Sequence, residues 1–314
     1  MNSLLHIHNA DVYVTGSNSK FLSSDVITQF RGRGDEIHVY PLSFSEYVPA
    51  YQGSVDEAWD DYLIYGGMPL ILTMAEPEDK AAYLNSLFQK VYISDIVERH
   101  DVRNKVELDE LVDILASAIG SYTNQSKLVR TFKSVKGKTI SDKTIKNYID
   151  YLIDSFLISK AVRYDIKGKK YIGSPSKYYF EDVGLRNARL GFRQVEQTHL
   201  MENIIYNELR IRGYHVDVGV VEYYGVNGER KRGKKQLEVD FVATKGSEKH
   251  YIQSAFTLPT ADKVDQEQRS LLHIPDSFRK IIVVGDNIKI RRDENGIITI
   301  GLRNFLLDED SLRS

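Results

Sequence analysis

The sequence predicts an α+β chain of several domains, and three observations carry that reading. Ile145, Tyr148, Ile149, Leu152, Ile153 and Phe156 recur at helical spacing, one apolar stripe along about four turns. Two strand-like runs follow at once, Leu157 to Ile166 and Lys170 to Phe180, joined through the turn Lys167-Gly168-Lys169. The stretch from Ser45 to about Arg103 has helical spacing, whereas residues 199–285 alternate helix, strands, helix and strand. At 314 residues the chain has core enough for about two to four domains.

Around the apolar stripe the order of elements is specific. Ser141 stands where a helix N-cap is wanted, and a shorter helix from Gln125 to Val135 precedes it with Leu128, Val129 and Phe132 facing inward. Helix, turn, longer helix and hairpin is the order of a winged helix-turn-helix. Charge follows the same elements. Seven Lys or Arg lie between Gln125 and Asn147, against the single acid Asp142. Lys127, Arg130, Lys133, Lys143 and Lys146 are expected on a DNA-facing surface. Asn147 is expected among the base contacts, because the first half of such a helix enters the major groove. The hairpin adds Arg163, Lys167, Lys169, Lys170 and Lys177. The alternative is a solvated face on a module that joins proteins.

Composition sets the outer limits. Lys and Arg number 42 against 44 Asp and Glu, so any affinity for a polyanion is local rather than global. The absence of cysteine excludes disulfides and thiolate metal sites and points to a reducing, cytoplasmic setting. No apolar run approaches the roughly 20 residues that cross a bilayer, so no membrane partner is expected. His6 and His8 lie close in sequence without a third ligand nearby, too little for a metal site.

The N-terminal stretch has a different character. DVYVTGSNS begins as a strand at Val12 to Val14 and breaks into a polar turn, a short helix is expected from Leu22 to Phe30, and Glu36 to Tyr40 alternates as a strand before Pro41. VYVTGSNSKFLS, GRGDEIHVYPLSFSEY and YLIYGGMPLIL resemble consecutive blocks of a prokaryotic AAA+ family ATPase. The runs YISDIVERHDVRN and YYFEDVGLRNARLG are similar to later blocks of that family. The resemblance implies a nucleotide domain, a helical lid, a winged helix and a C-terminal domain. It makes Asn18 similar to the sensor polar residue and Arg33, with Arg31 the alternative, similar to the arginine finger. It also implies ATP and magnesium in intact members, and a homo-oligomer formed through the nucleotide domain.

This chain departs from that pattern where phosphate would bind. A phosphate loop reads GxxxxGK[ST] between strand and helix. The only Gly-Lys-Thr here is Gly137-Lys138-Thr139, with Phe132 where the first glycine belongs. An acidic strand end for magnesium is also missing before Thr15. The expectation is a chain that begins downstream of both features and neither binds nor hydrolyses ATP by itself. Asp95, within the lid, is expected to cap or pair on a surface rather than to catalyse.

The C-terminal elements are a helix over residues 199–209, a strand from His215 to Tyr224, a basic loop over residues 229–235, the strand LEVDFVAT, a turn at Lys245-Gly246-Ser247, HYIQSAF, a helix from Ala261 to His273 and the buried strand KIIVVG. That skeleton resembles the PD-(D/E)XK nuclease fold. Such chemistry needs hard oxygen ligands for magnesium and a lysine beside the attacking water. By resemblance Asp240 is the metal-binding aspartate, Glu202 the auxiliary acid and Gln253 the first residue of the third motif. Ala255 stands where that motif carries its lysine. Lys249 and Lys263 are neighbouring ammonium groups, and the basic loop either grips DNA or is solvated.

The expected domains are therefore 1–45, the end of a nucleotide domain; 46–105, a lid; 106–195, a winged helix; and 196–314, a nuclease-like domain. The expected function is DNA binding within an AAA+ ATPase family, with no cofactor for this chain. The alternatives are a metal-dependent nuclease, holding magnesium at Glu202 and Asp240, and a protein-interaction module.

Overall fold

Most of the described helix starts coincide with side chains that satisfy free amides. Ser43 and Ser54 open α1 (Phe44–Tyr47) and α2 (Val55–Tyr65), each in a reciprocal capping box with Glu46 and Glu57. Glu76 and Pro77 begin α3 (Pro77–Ser86), and a π turn over Leu87–Ile93 leads into α4 (Ser94–Arg99). Asn104 caps α5 (Lys105–Ser117), Asn124 caps α6 (Gln125–Lys136) and Ser141 caps α7 (Asp142–Asp154). The computed structural model describes residues 13, 15–16, 35, 37–137, 139–226 and 232–313. The elements expected over Val12 to Val14 and Leu22 to Phe30 lie outside the described residues.

The helical reading of residues 45–103 matches these elements, and Asp95 pairs with Arg99 one turn on, at 2.6 Å. The strand expected over Glu36 to Tyr40 is not formed in its described part. Residues 37–40 are irregular, with Ile37 and Val39 open to solvent, so among the described residues its alternation joins no sheet. The apolar stripe also ends sooner than its spacing suggests. Ser155 closes α7, and Phe156 takes a positive φ of 56° that turns the chain into the next strand.

That strand is β1 (Ile158–Asp165), which pairs antiparallel with β2 (Lys170–Phe180). An isolated bridge, Thr123 to Ser176, ties the turn before α6 to β2. After α8 (Val183–Arg189) come α9 (Gln197–Ile211), β3 (His215–Val226), β4 (Arg232–Lys245) and β5 (Glu248–Ala255). Then follow α10 (Ala261–Leu272), β6 (Arg279–Val284), β7 (Arg291–Arg292), β8 (Ile298–Gly301) and α11 (Leu302–Leu307). The hairpin is not a free wing. β1 runs parallel to β3, Arg163 beside Val218 and Asp165 beside Val220, so one mixed sheet has the order β2-β1-β3-β4-β5-β6-β8-β7. It passes straight through the boundary expected at 195/196.

Strand alternation divides the core in two. On β6, Ile281 and Val283 face α9 and the helices, whereas Ile282 and Val284 face the smaller cluster beneath α10. The larger cluster runs without a break from Phe44 through α5, α6 and α7 to α9 and α11.

Two sequence blocks far apart meet at the centre of the helical half. The Asp182 carboxylate accepts from the amides of Leu185 at 2.9 Å and Gly67 at 2.7 Å. Gly66 and Gly184 let the two backbones approach this closely, since a Cβ on Gly184 would run into the Tyr65 carbonyl. Beside them Arg186, fully buried, donates to the carbonyl of Ala116 at 2.9 Å, and Asn187 donates to Ile64 at 2.8 Å.

Candidate functional site

The residues with the most distinctive chemistry gather where β2 crosses in front of α9. Lys177 is buried, its side chain only 4% exposed. Its ammonium lies 2.9 Å from Glu202 on α9, 2.6 Å from Glu238 and 3.9 Å from Asp240 on β4. In the sheet, β1 and β3 stand between β2 and β4, but β1 pairs with β3 only over Arg163–Asp165, so the hairpin end that carries Lys177 lies beyond that pairing. A register shift between Ala161 and Arg163 marks the change, after which β2 stays paired with β1 from Lys177 to Phe180. Beyond it, Tyr179 stacks on Tyr206 of α9 at 4.2 Å, and Asn203 brackets the Phe180 amide and carbonyl, both at 2.8 Å.

The acids are held from behind. Tyr179 donates to Glu202 at 2.7 Å, and the Ser254 amide donates to Asp240 at 2.8 Å. Gly120, at φ +70°, lets the chain pass close to the Glu202 carboxylate, which a Cβ would meet at 3.1 Å. Between Asp217 and Gly219 β3 advances two residues while β4 advances three, so a bulge falls at Asp240-Phe241. Bulges re-aim side chains, and this one turns Asp240 toward Lys177. Burial, and then the charge of Glu202, raise the Asp240 carboxyl above its ordinary range. Burial opposes the Lys177 charge, but Glu202, Asp240 and Glu238 outweigh it and raise that pKa.

Of the predicted nuclease set, Glu202 and Asp240 come together and Gln253 does not join them. Ile252 packs in the larger core, while Tyr251 and Ala255 pack in the smaller one. Alternation therefore turns Gln253 toward α10, where its carbonyl oxygen faces the Ser270 hydroxyl at 3.3 Å. Lys249 lies over the Phe278 ring and Lys263 pairs with Glu267 at 2.6 Å. Neither replaces the ammonium missing at Ala255. Lys177, counted in the sequence with the surface of the hairpin, is the buried cation of the cluster. The set is a poor fit to a magnesium ion, because an ammonium already stands among the carboxylates. Among the described residues, no group of three or more His, Cys, Asp or Glu is arranged to hold a metal. Sequence reasoning missed Glu238, although it stands two residues before Asp240 on the same strand.

The second region is the basic surface of α6 and α7. Lys127, Arg130, Lys133, Lys143 and Lys146 are all exposed, and none makes an ion pair among the described residues. The Lys127 ammonium donates to the Tyr122 carbonyl at 2.8 Å, at the entry to α6. Tyr122 links the two regions, its ring 5.3 Å from the Arg163 guanidinium and 5.6 Å from the Lys177 ammonium. Asn147 is half-buried and lines a cleft with His100, Asn104, Glu107 and Tyr151, so it is not on the open face of α7. On the hairpin Lys167, Lys169 and Lys170 are exposed, with Lys167 bonded to the Glu222 carbonyl at 2.7 Å. Asn18, Arg31 and Arg33 lie outside the described residues.

Known proteins share this arrangement of sequence. An "Uncharacterized protein" of Haemophilus influenzae is 35% identical over 312 residues, covering 98% of this chain and 73% of that protein. The chain belongs to the family of that Haemophilus protein. "Uncharacterized protein MJ1544" of Methanocaldococcus jannaschii is 29% identical over 292 residues, covering 89% of this chain and 62% of its own length. Residues 2–48 match the model of an AAA domain, which places an AAA-like ATPase relationship at the N-terminus. Residues 56–196 match a domain of unknown function, DUF8612. A crystal structure of protein VC1899 from Vibrio cholerae aligns with 14% identity and a TM-score of 0.26, over 89% of this chain and 62% of that one. Among the described residues no helix is long and apolar enough to cross a membrane.

Proposed function

We propose that this chain is a DNA-binding portion of an AAA-family ATPase relative, and that it meets duplex DNA through α6, α7 and the adjoining hairpin. The observation that carries the reading is the row of five exposed cations on α6 and α7 that no acid neutralises among the described residues. Surface lysines are usually interspersed with acids. An unbalanced set on two adjoining helices favours a polyanion, and phosphate contacts supply most of the affinity of such surfaces. The succession α5, bridge at Thr123, α6, α7 and hairpin also follows the order of a winged helix. Lys169 and Lys170 extend the basic surface. Lys167 remains exposed with one hydrogen bond already made, and Lys177 is withdrawn into the interior.

In this reading the C-terminal half is a nuclease-like α/β unit that assembles the molecule and does not cleave. The chain also does not hydrolyse ATP unaided, since it contains no phosphate-loop motif. A labelled duplex followed by fluorescence anisotropy tests the main claim. Lys143→Glu with Lys146→Glu is expected to weaken binding about tenfold or more. Lys90→Glu, an exposed charge on the lid, is expected to change it little. Equal losses from both would reduce the effect to overall charge.

A second reading, metal-dependent hydrolysis, draws on the meeting of Glu202 and Asp240 around one ammonium. Plasmid incubated with magnesium or manganese, with Asp240→Ala as control, separates the two. Cleavage that disappears in the variant would replace the non-cleaving account.

A further inference from the structure

Three carboxylates from two elements converge on one ammonium, and that ammonium comes from neither element. Glu202 rises from α9, Glu238 and Asp240 from β4, and Lys177 reaches them from β2. We propose that Lys177 is the resident cation of this site, occupying the place of a divalent metal ion and pinning the hairpin to the C-terminal half of the molecule.

The geometry argues for a filled site. An ammonium has three hydrogens to give, and here Glu202 and Glu238 take two at 2.9 and 2.6 Å while Asp240 lies 3.9 Å away. The Tyr122 ring covers the cation from 5.6 Å. Lysine is almost never fully buried without partners, and burial this deep needs acids already fixed in position. Asp240 is held from another strand by the Ser254 amide, and Glu202 by the Tyr179 hydroxyl, two residues along β2 from Lys177. Carboxylates gathered around a single cation are left with uncompensated negative charge once that cation is removed. The ammonium supplies the charge that a metal ion would supply, and it is tethered to the chain.

The tether has a mechanical result. β2 is an edge strand, and its C-terminal half, still paired with β1 from Lys177 to Phe180, packs against α9. The Lys177 cluster and the Asn203 bracket are its polar anchors there. Glu238 is a third exposed, so the cluster opens to solvent on the side of β4. A small ion could enter from that side if the ammonium were gone.

The inference stands whether or not α6 and α7 meet a duplex, and duplex binding is not its readout. The experiment uses manganese(II) alone on the full chain, with calorimetric titration and thermal melting. The wild type is expected to bind no manganese at the cluster and to melt at the same temperature with or without it. Lys177→Met is expected to melt lower and to bind one manganese ion, which restores much of the lost melting temperature. Adding Asp240→Asn to Lys177→Met is expected to abolish that binding. Manganese binding by the wild type that Asp240→Asn removes would overturn the proposal, because lysine and metal would then coexist. So would a folded Lys177→Met chain that takes no ion, or one that stays unfolded with manganese present.

Discussion

Replacing Asp182 by asparagine removes a buried charge while keeping the size of the side chain. Burial, opposed by the amides of Leu185, Gly67 and Gly184, raises its carboxyl from the ordinary 3.8 to about 6. A rise of that size costs the charged form about 3 kcal/mol at neutral pH. The folded protein holds this proton more tightly than the unfolded chain. The associated stability is therefore fully present below pH 3.8 and is lost as pH rises through about 6. A carboxamide does not titrate in this range, so this part of the pH dependence should vanish in Asp182→Asn. The amide must also turn its NH2 toward one of two backbone donors, which costs about 1–3 kcal/mol at every pH. Urea unfolding between pH 4 and pH 8 should show the variant less stable in acid, with the gap closing or reversing above neutrality. Asp182→Ala, which loses both acceptors, should be less stable throughout by about 2–5 kcal/mol. Parallel curves for wild type and Asp182→Asn would refute the reasoning.

Other expectations concern packing and the hairpin. Gly184→Ala forces a Cβ onto the Tyr65 carbonyl and should cost about 2–3 kcal/mol, seen as a melting temperature lower by roughly 5 °C or more. Asn203→Ala strips both partners from the Phe180 backbone and should cost about 2–4 kcal/mol. Hydrogen exchange should then speed up at the C-terminal end of β2 before it does so in β6.

Much of this architecture was legible locally. Capping at Ser141, the stripe on α7, the turns at Lys167–Lys169 and Lys245–Ser247, and the succession from α9 to β6 all follow from spacing and turn residues. What was not legible depends on partners far away in sequence. No local signal announces that β1 will lie parallel to β3, because the pairing joins residues such as Arg163 and Val218 across two helices. Lys177 reads as a surface residue in a basic hairpin, and only the packing of that hairpin end against α9 and β4 buries it. The meeting of Gly66-Gly67 with Asp182–Gly184 was equally hidden, although both blocks stood out singly. Gln253 is different, since the alternation Tyr251, Gln253, Ala255 already set it on the face opposite Ile252. The expectation that it would join Asp240 followed the resemblance instead. Phe156 continued the helical spacing, but one positive φ ended the helix before it.

The surface of α6 and α7 is most directly tested by the salt dependence of duplex binding. Each phosphate contact contributes about 0.9 to the slope of log K against log salt. Lys143→Glu with Lys146→Glu should therefore flatten the wild-type slope by about 1.8. A slope unchanged by the two reversals would contradict a DNA-facing role for α7.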